Sequence, residues 1–227
     1  MCINGRYRPR FLANVLFELN ARGPVQGLPA TGRSIMQRVL TGEQVEVAQV
    51  AGADRDDLIA ANLASIALHG SWVSPCRTPA SFDAYLESCD GERKIGYIAR
   101  RRTGRAIVGV INVSEIIRGS FQSAFLGYYA VVGSTGRGLM TEALSLVIEY
   151  CFQHLRLHRL EANIQPGNGP SLALVRRLGF RKEGFSPRYL HIDGEWRDHE
   201  RWAILADEWS RPSPMPRGVS RAPSKPE

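Results

Sequence analysis

Between residues 131 and 141 the chain reads Val131-Val132-Gly133-Ser134-Thr135-Gly136-Arg137-Gly138-Leu139-Met140-Thr141, a run in which glycines join a strand-like stretch to a long helix. The helix is legible because Leu139, Ala143, Val147, Cys151 and Leu155 recur every fourth position, with Met140, Leu144, Ile148 and Phe152 beside them. Such spacing gives a broad apolar face. Glycine permits the turn and removes side chains that would block close approach. The first N–H groups of the helix, at the positive end of its dipole, then point at one spot that suits a pyrophosphate.

Spacing within the run separates the chemistries that use such a turn. A P-loop requires Lys and Ser/Thr after Gly138, where Leu139 and Met140 stand. A dinucleotide fingerprint requires Gly or Ala at position 141, which is Thr141, and no repeating βαβ series follows. ATP hydrolysis and NAD binding are both disfavoured. A plain glycine turn at a helix start remains as the bland reading of this run taken alone.

The surrounding pattern is mixed α/β around one central sheet. Residues 44–50 alternate as a first strand, and residues 54–68 have helical spacing with an acidic start. A short helix over 81–88 follows, with Ser81 as its candidate cap. Residues 94–100, 106–113 and 124–132 read as three strands of an antiparallel meander, with Arg102-Thr103-Gly104 breaking the first two. After the long helix come a strand at 160–164, a helix at 171–178 ended by Gly179, and two alternating stretches around Asp193-Gly194, a two-residue hairpin signal.

A second motif lies about thirty residues beyond the glycine turn, Asn168-Gly169-Pro170-Ser171-Leu172-Ala173-Leu174-Val175-Arg176-Arg177-Leu178-Gly179-Phe180. Together the two stretches resemble the GNAT superfamily of N-acetyltransferases. Gly136 and Gly138 take the glycine places of its Arg/Gln-x-x-Gly-x-Gly/Ala acetyl-CoA motif, while Gly133 departs from it in the Arg/Gln place, so that one contribution to the cradle is either weaker or supplied by Arg137. Asn168 and Ser171 match its Asn-x-x-Ser helix. The chain is especially similar to the RimJ/RimL group, protein N-terminal acetyltransferases that modify ribosomal proteins. Ile107-Val108-Gly109-Val110, Arg118-Gly119-Ser120-Phe121, Leu126-Gly127-Tyr128, Gly138-Leu139-Met140 and residues 189–199, Tyr-Leu-His-Ile-Asp-Gly-Glu-Trp-Arg-Asp-His, carry that likeness, which covers roughly residues 105–205.

The resemblance implies a mostly antiparallel sheet, splayed where the cofactor lies and flanked by helices. It implies acetyl-CoA held by Val131, Val132, Gly136, Arg137, Gly138, Leu139, Met140, Thr141 and Asn168, with Val131 and Val132 offering backbone hydrogen bonds to the pantetheine arm and acetyl carbonyl. Ser171 is the implied general acid to the coenzyme A sulfur, its bland alternative being a helix cap. The implied acceptor is the α-amine of a protein, a ribosomal protein beginning with Ala or Ser. A small amine such as an antibiotic or polyamine, or a role as a coenzyme A-bound ribosome-assembly factor, are the alternatives.

No general base is identifiable from sequence. The RimL-type enzymes that the chain resembles use a Glu just before the late-strand Tyr, but here Arg188 precedes Tyr189, and Glu115, Tyr128, Asp193 and Glu195 each have a surface or hairpin explanation. His154 and His158 lack the Glu and third ligand of a zinc helix, so no metal is expected.

Charge bears on partners through its location. Residues 1–40 hold six Arg against Glu18, and residues 209–227 hold four basic residues against Glu227, which leaves 19 Lys and Arg against 20 Asp and Glu in residues 41–208. The near-neutral middle carries no footprint for a phosphate backbone, whereas the tails could touch RNA non-specifically. The expected organisation is a basic, poorly ordered extension over 1–40, a catalytic domain over 41–208 and a Pro-rich disordered tail over 209–227. The Arg-rich start also fits a mitochondrial presequence or a start codon misplaced upstream of Met36. Scattered cysteines and the absence of a bilayer-length apolar run favour a cytoplasmic protein without a membrane span. Monomer and dimer are both open.

Overall fold

The computed structural model describes residues 39–211. The basic extension falls outside them except for its last two residues, and so does the tail beyond Arg211. Eight strands form one sheet in the order β1-β2-β3-β4-β5-β6-β8-β7. They are β1 (Leu40–Thr41), β2 (Val45–Gln49), β3 (Lys94–Arg101), β4 (Ile107–Ile117), β5 (Ser123–Ala130), β6 (Arg159–Ile164), β7 (Arg181–Ile192) and β8 (Glu195–Leu205). Every adjacent pair is antiparallel except β5 with β6. The splayed GNAT-type sheet expected from sequence is present.

Helices cover both faces. On one face α4 (Leu139–Gln153) and α5 (Gly169–Arg177) share a core with Ile111, Leu126, Leu160, Ile164 and Trp202. On the other, α1 (Arg55–Ala64) and α3 (Pro79–Ser88) contribute Leu58 and Phe82 to a smaller cluster with Ile98, Val110 and Val131. Each fully buried aliphatic side chain of this kind contributes about 1.5–3 kcal/mol. The broad apolar face read from α4 is the inner wall of the larger core.

Local chemistry explains where boundaries moved. The helix expected over 54–68 breaks at Ser65, leaving α2 (Ile66–His69) as a separate turn. Ser65 Oγ donates back to Ala61 O at 2.6 Å and accepts from Val132 N at 2.9 Å, so its hydroxyl is committed to a distant strand end. The helix read as starting at Ser81 starts at Pro79. Thr78 is its cap, accepting from Ser81 N at 3.2 Å while Ser81 Oγ accepts from Thr78 N at 3.0 Å. Asp193 and Gly194 both have positive φ, 51° and 81°, as the expected two-residue hairpin turn demands.

Gly109 lets β4, β5 and α4 close on one another. A Cβ there would stand 2.3 Å from Tyr129 O and 2.6 Å from Met140 Sδ, and the first of these is backbone that cannot swing away. Gly109→Val should therefore destabilise the protein by about 1–3 kcal/mol or more, the cost of overpacking. The thermal midpoint should fall by several degrees. An unshifted midpoint would mean that this corner is looser than its distances imply.

Candidate functional site

The single parallel pairing in the sheet is also the place where it opens. Ser123, Ala124 and Phe125 pair with Arg159, Leu160 and Glu161, and there the ladder between β5 and β6 ends. Beyond it β5 stays paired with β4 as far as Ala130, and β6 stays paired with β8 as far as Ile164. A wedge-shaped gap therefore lies between Leu126–Ala130 and residues 162–164. Val131 N donates to Val108 O at 3.0 Å, toward β4, and backbone groups alternate sides along a strand. Those of Tyr128 and Ala130 accordingly face the gap, where Ala130 O accepts from His69 Nε2 at 2.9 Å.

Of the backbone groups that Val131 and Val132 were expected to offer, both N–H groups are already paired. β5 ends one residue before them, Val131 N is spent on β4, and Val132 N donates to the Ser65 hydroxyl. Val131 is buried, whereas the side chain of Val132 is exposed. The gap-facing strand positions are one and three residues earlier.

The glycine turn has the form read from sequence. Gly138 is the N-cap residue of α4, left-handed at φ 74°, and gives no side-chain cap. The first-turn N–H groups of Leu139, Met140 and Thr141 have no carbonyl one turn back inside the helix to receive them. A Cβ added at Gly136 or Gly138 would meet nothing within 4 Å, so the space beside the helix start is open. The side chains of Leu139 and Met140 are buried in the core, which leaves only their backbone to the turn. Arg137 is exposed in the turn. Arg101 Nη2 donates to Gly133 O at 3.0 Å, and Arg177 Nη1 to Thr141 Oγ1 at 3.2 Å, so two further guanidinium groups border it. Guanidinium groups from β3 and α5 thus stand beside a turn whose Gly133 position carries none. A cradle of amides and arginines with room beside it fits a pyrophosphate.

Asn168 and Ser171 meet at the start of α5. Asn168 is the N-cap and its Oδ1 accepts from Ser171 N at 3.2 Å. The capping role weighed for Ser171 thus belongs to Asn168, and the Ser171 hydroxyl lies 2.7 Å from Tyr128 OH. Burial pushes the Tyr128 phenol up to about 12, with the Ser171 hydrogen bond a smaller, opposing influence. Tyr128 therefore keeps its proton at neutral pH. Sequence offered only a surface explanation for it, yet it lines the cleft between the splayed strands.

That cleft is bordered by Trp72, Tyr128, Asn163, Ser171, Leu190 and His199, among others, and no Asp or Glu is among the described residues that line it. Trp72 sits over Gly167, where a Cβ would be 3.0 Å from its ring. His199 is 2% exposed, its Nδ1 pairs with Arg197 O at 2.9 Å, and burial lowers its pKa. The other acid–base candidates lie elsewhere: Glu115 pairs with Arg93, Glu195 with Arg197, and Asp193 turns the hairpin. Arg188 donates its N–H to Asp198 Oδ1. His154 stacks on Tyr150, and among the described residues no cluster could hold a metal ion.

This geometry has a counterpart among known proteins. The sequence profile of the Acetyltransferase (GNAT) domain matches residues 45–181. The chain belongs to the GNAT acetyltransferase family. The ribosomal protein uS5-alanine N-acetyltransferase of Escherichia coli is 44% identical over 106 residues, 47% of this chain and 55% of that protein. The chain thus spans about half the length of the curated relatives it matches. The solved structure of Mycobacterium smegmatis RimJ in complex with CoA-disulfide superposes with TM-score 0.66 at 30% identity, covering 76% of this chain and 86% of that one. The spermidine N(1)-acetyltransferase of Escherichia coli is 25% identical over 126 residues, 55% of this chain and 59% of the relative.

Proposed function

We propose that this GNAT protein transfers the acetyl group of acetyl-CoA to the N-terminal α-amine of a protein, a ribosomal protein beginning with Ala or Ser, in the compartment where ribosomes are assembled. The observation that carries the reading is the Ser171–Tyr128 hydroxyl pair at the wall of the gap, between a phosphate cradle and a cleft with no carboxylate among the described residues that line it. The cradle of Gly136, Arg137, Gly138 and the first turn of α4 would hold the pyrophosphate. The gap-facing backbone of Tyr128 and the N–H of Ala130 would receive the extended arm.

Acetyl transfer requires a neutral amine, a polarised thioester and a proton for the departing sulfur. An α-amine ionises near pH 8 and a thiol near 8.5, so neither end of the reaction asks for an extreme catalyst. Positioning supplies much of the rate. The proton goes from Tyr128 or Ser171 to the sulfur as the C–S bond breaks, and burial keeps that proton in place beforehand.

The cleft lining weighs against a polyamine. Such a substrate keeps further positive charges after one amine has lost its proton, and a charge held in a confined site needs a counter-charge. The lining offers Trp72, Leu190 and neutral hydrogen-bonding groups instead, which suit a peptide end. With acetyl-CoA as donor, peptides with a free N-terminal Ala or Ser should be acetylated at least about tenfold faster than the same peptides blocked at the N-terminus and carrying a free Lys. Preference for the Lys peptide or for spermidine would overturn the α-amine assignment. Ribosome association without transfer to any amine would favour the assembly-factor alternative.

A further inference from the structure

Strand alternation separates the cleft into two sides. Asn163 pairs with Arg201 across β6 and β8, and His199 is two residues from Arg201, so Asn163 and His199 share a face of the sheet. Ala162, Ile164 and Trp202 point the other way, into the core beneath α4 and α5. Ser171 and Tyr128 approach the cleft from that α5 side, since Tyr128 packs on the same core and reaches α5. The residues suited to a departing sulfur and the pair Asn163–His199 thus border one cleft from opposite faces.

Two features make the second face a receiving site. Asn163 Oδ1 is buried and has no hydrogen-bond partner, a state that is unfavourable unless a donor fills it. In His199 the hydrogen bond to Arg197 O fixes the proton on Nδ1, because a carbonyl can only accept. Nε2 is then the nitrogen with a free lone pair, and burial keeps the ring neutral at pH 7. We propose that Asn163 and His199 form the acceptor site for the amine, Asn163 Oδ1 accepting one of its N–H bonds and His199 Nε2 taking the proton that frees its lone pair.

This rests on the acetyl-transfer reading and adds the base that sequence left open. The protons balance. The ammonium gives one proton to Nε2, which passes it to solvent. The neutral nitrogen attacks the thioester carbon, the C–S bond breaks, and the sulfur takes a proton from the Tyr128–Ser171 pair. The second proton lost by nitrogen as the amide forms restores that pair through water.

The groups near the imidazole are few. Arg197 and Arg201 flank His199 on its own strand, Asp198 adjoins it, the Tyr189 ring lies 6.1 Å away on β7, and Tyr128 faces it across the cleft. Asp198 favours the charged ring, but burial is the larger influence. A neutral base works above its own pKa, so wild-type kcat/KM for an amine peptide should already be near its plateau at pH 7. His199→Gln should lower that value about a hundredfold at pH 7 and shift the rise toward the peptide's own ionisation near pH 8. Asn163→Ala should raise the peptide KM about three- to tenfold with the acetyl-CoA KM unchanged.

The full chain would be assayed with an Ala-peptide and with a small amine, and acetyl-CoA binding by calorimetry would report folding. If His199→Gln binds no acetyl-CoA, Asn163→Ala decides. Folded variants with wild-type pH profile and peptide KM would overturn the acceptor site. Wild-type turnover on the small amine alone would overturn the α-amine reading instead, and the two variants would then be scored on that amine.

Discussion

Gly138→Val should weaken acetyl-CoA binding at least about thirtyfold while the protein remains folded. Two costs act together. The left-handed φ of 74° is unfavourable for any L-residue by about 1–2 kcal/mol, and a β-branched side chain tolerates it least. The new methyl groups would also enter the open space beside Leu139 N, where a phosphate would approach, forfeiting a favourable helix-end contact of up to about 2 kcal/mol. No protein atom lies within 4 Å of the added Cβ, so the thermal midpoint should fall by only a few degrees. Gly138→Ala would carry much of the strain with less of the obstruction and should fall between the two. Calorimetry showing undiminished affinity in a folded Gly138→Val protein would remove this turn from the donor site.

A comparable loss, seen in turnover instead of affinity, is expected at the hydroxyl pair. Ser171→Ala and Tyr128→Phe should each lower kcat and kcat/KM together by about ten- to a hundredfold, since an interaction made only as the sulfur departs affects both equally. Acetyl-CoA affinity should stay close to wild type. Because the two oxygens are 2.7 Å apart and would act as one donor, the double variant should be little worse than the poorer single. A general acid works while protonated, and burial has raised the Tyr128 phenol to about 12. No falling limb from this group should therefore appear below about pH 10. Full activity in both single variants would leave the pair a structural tie between β5 and α5.

The fold was legible because its signals are local. Alternation, fourfold spacing and Asp193-Gly194 each act within a single continuous segment, and the strands and helices they imply are present. The glycine turn and the Asn168–Ser171 helix start, the parts proposed for the donor, were legible for the same reason, since Gly136, Gly138, Asn168 and Ser171 belong to two continuous segments. What sequence could not supply depends on partners far along the chain. The break at Ser65 exists because Val132 N needs its hydroxyl, sixty-seven residues away. Tyr128 looked like a surface residue until the β5–β6 ladder stopped at Phe125 and left it beside α5. Asn163 and His199 share a face only through the β6–β8 register. Of these, His199 closes the late RimJ-like run, but nothing in that run says which way its ring points.

A sheet that comes apart halfway along one seam has two inner edges, and free strand edges ordinarily attract another extended chain. Here an elongated substrate arm with amide groups of its own could take the place of a missing ninth strand. Occupancy would then stitch β1–β5 to β6–β8–β7 along the length where their direct ladder lapses after three residue pairs. The donor substrate would be both reactant and building material, and the protein would be most nearly a complete sheet when ready to react.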